Sequence, residues 1–285
     1  MYETAILVVL YNKEITISKT LTSLLSTNMK YNNTKLVIWN NGSDYLSNRT
    51  IDAFRVKGFD TEIKETIYNE SLAVIYNNFI DDFPSKKYIL LDDDSSLNEK
   101  YLGASLLCDD NQIAMPIIYS RGKVRAPTID GMPYNKDTVI HESSNIMTIG
   151  SGLVIGNEVI NRLKIDYLKA FDERFFLYCV DTSFCLRISS VGLIGNIKVI
   201  DGFQHSLSRL EKESSELNKF RRKERSYGIG LQQRYYFPIF QSSVYIAKVI
   251  VVTIKSMLTK QERVVNIRHL IGAYLLGKHY RNCNS

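Results

Sequence analysis

Through the first two-thirds of the chain, short apolar runs alternate with segments whose apolar positions fall at helical spacing. Residues 5–11 (AILVVLY) form an unbroken apolar run, the pattern of a strand covered on both faces. After it, Ile17, Leu21, Leu24 and Leu25 fall one helical turn apart. KLVIW (35–39) predicts a second strand, ended by the turn-forming NNGSD. TEIKETI (61–67) predicts a third strand and SLAVIYNNFIDDF (71–83) a helix. KYILL (87–91) predicts a fourth strand, which runs directly into Asp92, Asp93 and Asp94. IAMPIIYS (113–120) follows, then a polar loop to about Asn145, then IMTIGSGLVIG (146–156). The alternation predicts an α/β fold with substantial parallel pairing. In open sheets of this kind ligands bind beyond the carboxyl ends of the strands, the edge on which NNGSD and the three aspartates both fall.

Beyond residue 205 the texture changes. EKESSELNKFRRKERSYGIGLQQRYYF is charged and helix-prone, and SSVYIAKVIVVTIKSML (242–258) is strongly apolar, broken by Lys248 and Lys255. ERVVNIRHLIGAYLLGKHYR (262–281) repeats the apolar and basic theme. A linear division follows: residues 1–205 as the sheet domain and 206–285 as a basic, apolar helical extension that makes a membrane-surface, acceptor or oligomer contact. Charge sharpens it, because the net +6 is unevenly spread. Residues 1–205 carry 21 Lys and Arg against 25 Asp and Glu, whereas residues 206–285 carry 15 against 5. Such a basic segment can meet anionic lipid, nucleic acid or a phosphorylated substrate. Nucleic acid is the weakest reading, since no recognised binding motif accompanies the charge. The apolar start lacks a preceding basic region and reads as a strand, not a signal peptide. No run of about 18 uninterrupted apolar residues occurs, so no membrane-spanning helix is expected. Cys108, Cys179, Cys185 and Cys283 show no paired metal-ligand spacing and are expected to be reduced thiols.

Three adjacent carboxylates at the end of a buried strand repel one another and call for a cation. In an extended segment alternate residues share a side, so Asp92 and Asp94 can serve one divalent cation while Asp93 faces elsewhere. The bland alternative is a solvated acidic turn that caps the next helix. Asp181 falls at the start of a helix that ends near Gly192, where the macrodipole favours its ionised form. Spacing alone leaves it equally a cap or a catalytic base. His205 follows another apolar strand, and a lone histidine there is more often structural. Gly150-Ser151-Gly152 interrupts a strand, which marks a close approach by a ligand or backbone, or a bulge.

In this order and at this spacing, LVVLYN, VIWNNGSD, NESLAVIYN, LLDDDS, IGSGLVI, FDERFFLYCVDTSFCLR, QHSLSR and LQQRYY resemble the family 2 glycosyltransferases. The resemblance is specifically to their rhamnosyltransferase-like branch, and it runs from residue 5 to about residue 240. The resemblance implies the GT-A fold, a Rossmann-like, mostly parallel sheet flanked by helices, followed here by the C-terminal helical extension. It implies that Asp92 and Asp94 match the D-x-D motif, which holds Mg²⁺ or Mn²⁺ on a sugar-nucleotide diphosphate, with His205 near the metal. It assigns Asp181 as the base of an inverting transfer. Ser151 and Gly152 match the sugar and acceptor pocket, and Tyr11, Asn40, Asn69 and Asp93 fall where relatives cradle the nucleotide sugar. Asn40 is a departure, because relatives usually have aspartate there. The implied donor is dTDP-L-rhamnose, with UDP-galactofuranose the runner-up. The implied acceptor is a polyprenyl-diphosphate-linked saccharide of bacterial surface polysaccharide synthesis, met in the cytoplasm at the inner face of the cell membrane. A homodimer is compatible with the apolar C-terminal helices. From another class comes a catalytically silent saccharide-binding or scaffold relative, against which Asp92, Asp94 and Asp181 together argue.

Overall fold

The computed structural model describes residues 1–206, 214–259 and 264–283, without the side chains of Leu258 and Cys283. Leu207 to Arg209 of the QHSLSR motif and the first two residues of the ERVVNIRHL segment lie outside these residues. The chain divides into two compact units. The first comprises Met1–Glu70, Val74–Ala170 and Arg187–Leu210, and the second Ser71–Ala73, Phe171–Leu186 and Glu211–Ser285.

The first unit is built on a nine-stranded sheet. Its strands are β1 (Thr4–Leu10), β2 (Thr34–Asn40), β3 (Phe59–Glu65), β4 (Lys87–Asp92), β5 (Ser95–Ser96), β6 (Ile113–Ser120) and β7 (Lys123–Ala126). The short β8 (Thr128–Ile129), β9 (Met132–Pro133) and β10 (Ile146–Met147) form a separate sheet, before β11 (Val154–Gly156) and β12 (Ile197–His205). The main order is β3-β2-β1-β4-β11-β6-β12-β5, with β7 beside β6. β3, β2, β1 and β4 are parallel, β11 runs antiparallel to both its neighbours, and β12 is again parallel to β6.

The helices are α1 (Lys19–Ser26), α2 (Asp52–Val56), α3 (Leu72–Asp82), α4 (Glu99–Leu106), α5 (Asn157–Tyr167) and α6 (Val180–Ser190). All seven residues of β1 are buried, as its unbroken apolar run predicts. Ile6, Val8 and Leu10 join Leu36 and Ile38 of β2 in a core with Leu21 and Leu24 of α1, Phe54 of α2 and Tyr101 and Leu102 of α4. Beyond that cluster, Phe79 of α3 meets Tyr88 of β4 edge-on at 5.8 Å.

Two expectations change. The segment expected as a polar loop to Asn145 carries β7, β8 and β9, because its short extended pieces pair with β6 and β10. Residues 146–156 are two strands in two different sheets, parted at Gly150-Ser151-Gly152.

In the second unit lie α7 (Ser215–Tyr236), α8 (Ile239–Leu258) and α9 (Ile267–Leu276). Asp172 accepts from the Arg174 side chain at 2.8 Å and from the Tyr236 hydroxyl at 2.7 Å, which ties the FDERFF loop to the end of α7. Phe171 stacks on Phe184 of α6 with centroids 4.9 Å apart. The expectation from uninterrupted runs also needs correction here. Ile239–Met257 is long and apolar enough to cross a membrane by length and composition, since two lysines interrupt the run without removing its apolar character.

Candidate metal and nucleotide-sugar site

β1 and β4 lie side by side with Val9 opposite Asp92, so the loop after β1 and the aspartates after β4 emerge together at the carboxyl edge. The chain turns at Asp93-Asp94 and re-enters the sheet as β5. β5 pairs antiparallel with the end of β12, placing His205 opposite Ser95. That pairing brings a histidine from 110 residues downstream to the acidic turn.

His205 Nδ1 lies 3.2 Å from Asp94 Oδ1, and Nε2 lies 3.8 Å from Asp92 Oδ2. The three residues offer ligand atoms all within 4.8 Å of one another. The ring is buried, with Nδ1 at 3.0 Å from the Ser95 hydroxyl. Ser95 in turn meets the Ser151 hydroxyl at 2.9 Å, and Ser151 accepts from the Asp92 backbone N–H at 3.1 Å. Asp94 Oδ1 is buried yet makes no hydrogen bond. Burial pushes the Asp94 carboxyl above its usual range, and neighbouring Asp93 pushes the same way. The imidazole and Lys13 pull it back down. Two carboxylates and an imidazole, with one buried carboxylate oxygen making no hydrogen bond, fit a divalent cation.

Asp93 faces away from this trio. It accepts from the Tyr11 backbone N–H at 3.2 Å and from Lys13 Nζ at 2.6 Å. Its carbonyl accepts from the Ser18 hydroxyl at 3.0 Å and from the Thr20 backbone N–H at 3.3 Å. The middle aspartate therefore anchors the loop between β1 and α1. Lys13 was not found from the sequence; its position matters only once β1 and β4 are adjacent.

Tyr11 is about half exposed on that loop, beside the acidic turn. Asn69, at φ +55°, is 3.5 Å from the Asn41 amide nitrogen. Asn40 is buried, with its amide donating to Asp44 O at 2.8 Å and to Glu65 at 3.1 Å while its oxygen accepts from Gly42 N–H at 3.1 Å. Glu65 stands directly opposite on β3. A carboxylate at position 40 would meet the Glu65 carboxylate, which accounts for asparagine at this position. Ser151 is buried inside the hydroxyl network just described. Gly152 has φ +88°, and a side chain there would strike Phe203 and Pro116. Asp181 belongs to the second unit, in the first turn of α6, where its carboxylate accepts from the Thr182 backbone N–H at 2.8 Å. The structure thus gathers Asp92, Asp94, His205 and Ser151 into one cluster within the first unit.

No protein-family model matches the sequence, and no curated protein matches it. Solved structures do. S. aureus TarS superposes over 83% of this chain with a TM-score of 0.51 and 14% identity. Residues 1–349 of TarS in complex with UDP give 0.54 at 16% identity over the same share. The mannosyltransferase PcManGT from Pyrobaculum calidifontis, in complex with GDP-Man and Mn²⁺, gives 0.54 at 12% identity over 97% of this chain and 88% of its own. The fold is GT-A. The chain spans 40% of the length of TarS and 66% of its 1–349 portion. TarS 1–349 is also described with UDP-GlcNAc, so the GT-A structures resembled here bind nucleotide sugars with different bases and sugars. On this GT-A sheet the Asp92, Asp94 and His205 cluster occupies the carboxyl edge of the parallel strands, where an α/β sheet takes its ligands.

Proposed function

We propose that the protein is a metal-dependent, inverting glycosyltransferase that moves a sugar from a nucleoside diphosphate to a saccharide acceptor. The observation that carries the reading is the Asp92, Asp94 and His205 cluster, its ligand atoms all within 4.8 Å of one another, at the ligand edge of a GT-A sheet. These three residues would hold a divalent cation, which would neutralise charge developing on the leaving diphosphate. Asp93 and Lys13 fix the loop that carries Tyr11 beside the nucleotide. Asp181, in the first turn of α6, takes the proton from the acceptor hydroxyl as it attacks the anomeric carbon. One displacement inverts that centre, so no covalent nucleophile is needed. The donor assigned is dTDP-L-rhamnose, with UDP-galactofuranose second. The acceptor assigned is a polyprenyl-diphosphate-linked saccharide of a bacterial O-antigen or capsule.

Calorimetric titration of dTDP-rhamnose, UDP-galactofuranose, UDP-GlcNAc and GDP-mannose, with and without Mn²⁺, tests the reading. Metal-dependent binding of one donor is expected, and Asp94→Asn should remove the metal-dependent part. Asp181→Asn should keep that binding and lower transfer by about 10²–10⁴-fold. Metal-independent binding of every donor, or an Asp181→Asn variant with full turnover, would overturn the respective assignment.

A further inference from the structure

α8 is built inside out. Among its described residues the buried side chains are Ser242, Thr253 and Ser256, while Ile239, Phe240, Val251, Ile254 and Met257 are each more than half exposed. The buried hydroxyls need no outside solvent: Ser242 donates to Gln233 O at 2.6 Å, Thr253 to Val249 O at 2.7 Å and Ser256 to Thr253 O at 2.8 Å. Half-buried Tyr245 and Val249 continue the same inward stripe at a spacing of three and four residues. The outward arc is therefore apolar but for Ser243, bounded along one edge by Lys248 and Lys255, which stand two turns apart. An apolar patch of this extent on a basic segment marks an interaction surface.

The covering partner must be apolar in its body and negative at its rim. α8 contains no Asp or Glu, so a second copy of the helix offers its two lysines no counter-charge. The segment as a whole carries 15 Lys and Arg against 5 Asp and Glu. The inward stripe recurs from Ser242 to Ser256, about 21 Å of helix at roughly 1.5 Å per residue. A spanning helix would have to leave the protein over about 30 Å of hydrocarbon. We propose that α8 lies in the plane of an anionic phospholipid surface, with Phe240, Val251 and Ile254 in the acyl boundary and Lys248 and Lys255 among the headgroups. This proposal stands apart from the glycosyl-transfer reading, because it rests on the second unit alone.

Flotation of the full chain with phosphatidylglycerol–phosphatidylcholine vesicles, and with phosphatidylcholine alone, tests it. Binding to the anionic vesicles is expected, falling as salt rises. Lys248→Glu with Lys255→Glu should weaken that binding by at least about 25-fold, on a scale of roughly fivefold for each surface lysine. Val251→Glu with Ile254→Glu should weaken it by at least about tenfold on both vesicle types. All four positions are solvent-facing, and unchanged melting temperatures confirm that these variants fold. A wild-type chain that stays with the aqueous fraction at low salt overturns the proposal. So do apolar-face variants that float as well as wild type. A dimer in sedimentation that dissociates in Val251→Glu, without vesicle binding, would give the face to a second copy. Resistance of the membrane-bound chain to alkaline extraction would make α8 a spanning helix.

Discussion

Asp92, Asp93 and Asp94 are identical in type and consecutive, yet the structure separates their roles. Asp92 and Asp94 turn towards His205, whereas Asp93 turns towards Lys13 and the Tyr11 backbone. The alternation of side chains along an extended segment made that split legible, but the identity of Asp93's partner was not. Asn40 shows the same limit. From the sequence it is only a departure from the aspartate of similar proteins; in the structure it is a donor to Glu65 across β2 and β3. Asn40→Asp should therefore destabilise the protein by about 1–3 kcal/mol, because two buried carboxylates would then face each other. Adding Glu65→Gln should recover most of that loss. Thermal melts of the single and double variants check this, and equal destabilisation in both would show that the Glu65 contact is not the cause.

At the scale of elements, periodicity placed β1, β2, β3, β4, β6, α3 and α6 closely. Those elements have enough residues for a period to show. It could not place β5, β8, β9 or β10, each two residues long, because so short a segment has no period of its own. β5 is the one that matters for the site, since its pairing with β12 carries His205 to the aspartates. β12 reaches that position through an irregularity between Ile200 and Phe203, where it passes β6. Gly202 sits in this irregularity, and a side chain there would fall 1.6 Å from Ile117 O. Gly202→Ala should force the strands apart, lower the melting temperature by several degrees and weaken divalent-cation binding together with it. Calorimetry and Mn²⁺ titration of the variant measure both. A variant that melts as wild type would mean that the β12 backbone adjusts freely.

For the whole molecule, the second unit carries a buried polar cluster that the sequence did not reveal. Glu224 of α7 lies 3.7 Å from His279 and 3.1 Å from Arg281, and accepts from the Tyr280 hydroxyl. His279 stacks on Phe176 at 4.6 Å. Burial, reinforced by Arg281 and Lys223, pushes the His279 imidazole down to about 3. The folded state thus keeps His279 neutral at pH values where the unfolded chain protonates it. The stabilisation is present above the ordinary histidine value near 6.5 and is lost as pH falls below it. Between pH 7 and pH 5 the wild-type protein should lose about 2 kcal/mol relative to His279→Phe, which has no proton to take up. Denaturant melts at the two pH values read the difference, and parallel losses in both proteins would rule the histidine out.

The sequence by itself determined the strands long enough to show a period, the ligand edge of the sheet, and the residue types fit to hold a divalent cation. These follow from local pattern, in which neighbouring positions report one another's burial. It also determined the uneven charge and the apolar character of residues 242–258. Only the tertiary structure decided that Ser95 and His205 are opposite, that Asp93 and Asn40 act on neighbouring chain, and that α8 turns its hydroxyls inward. Each of those depends on contacts between segments far apart in the chain, whose pairing leaves no period within either segment alone.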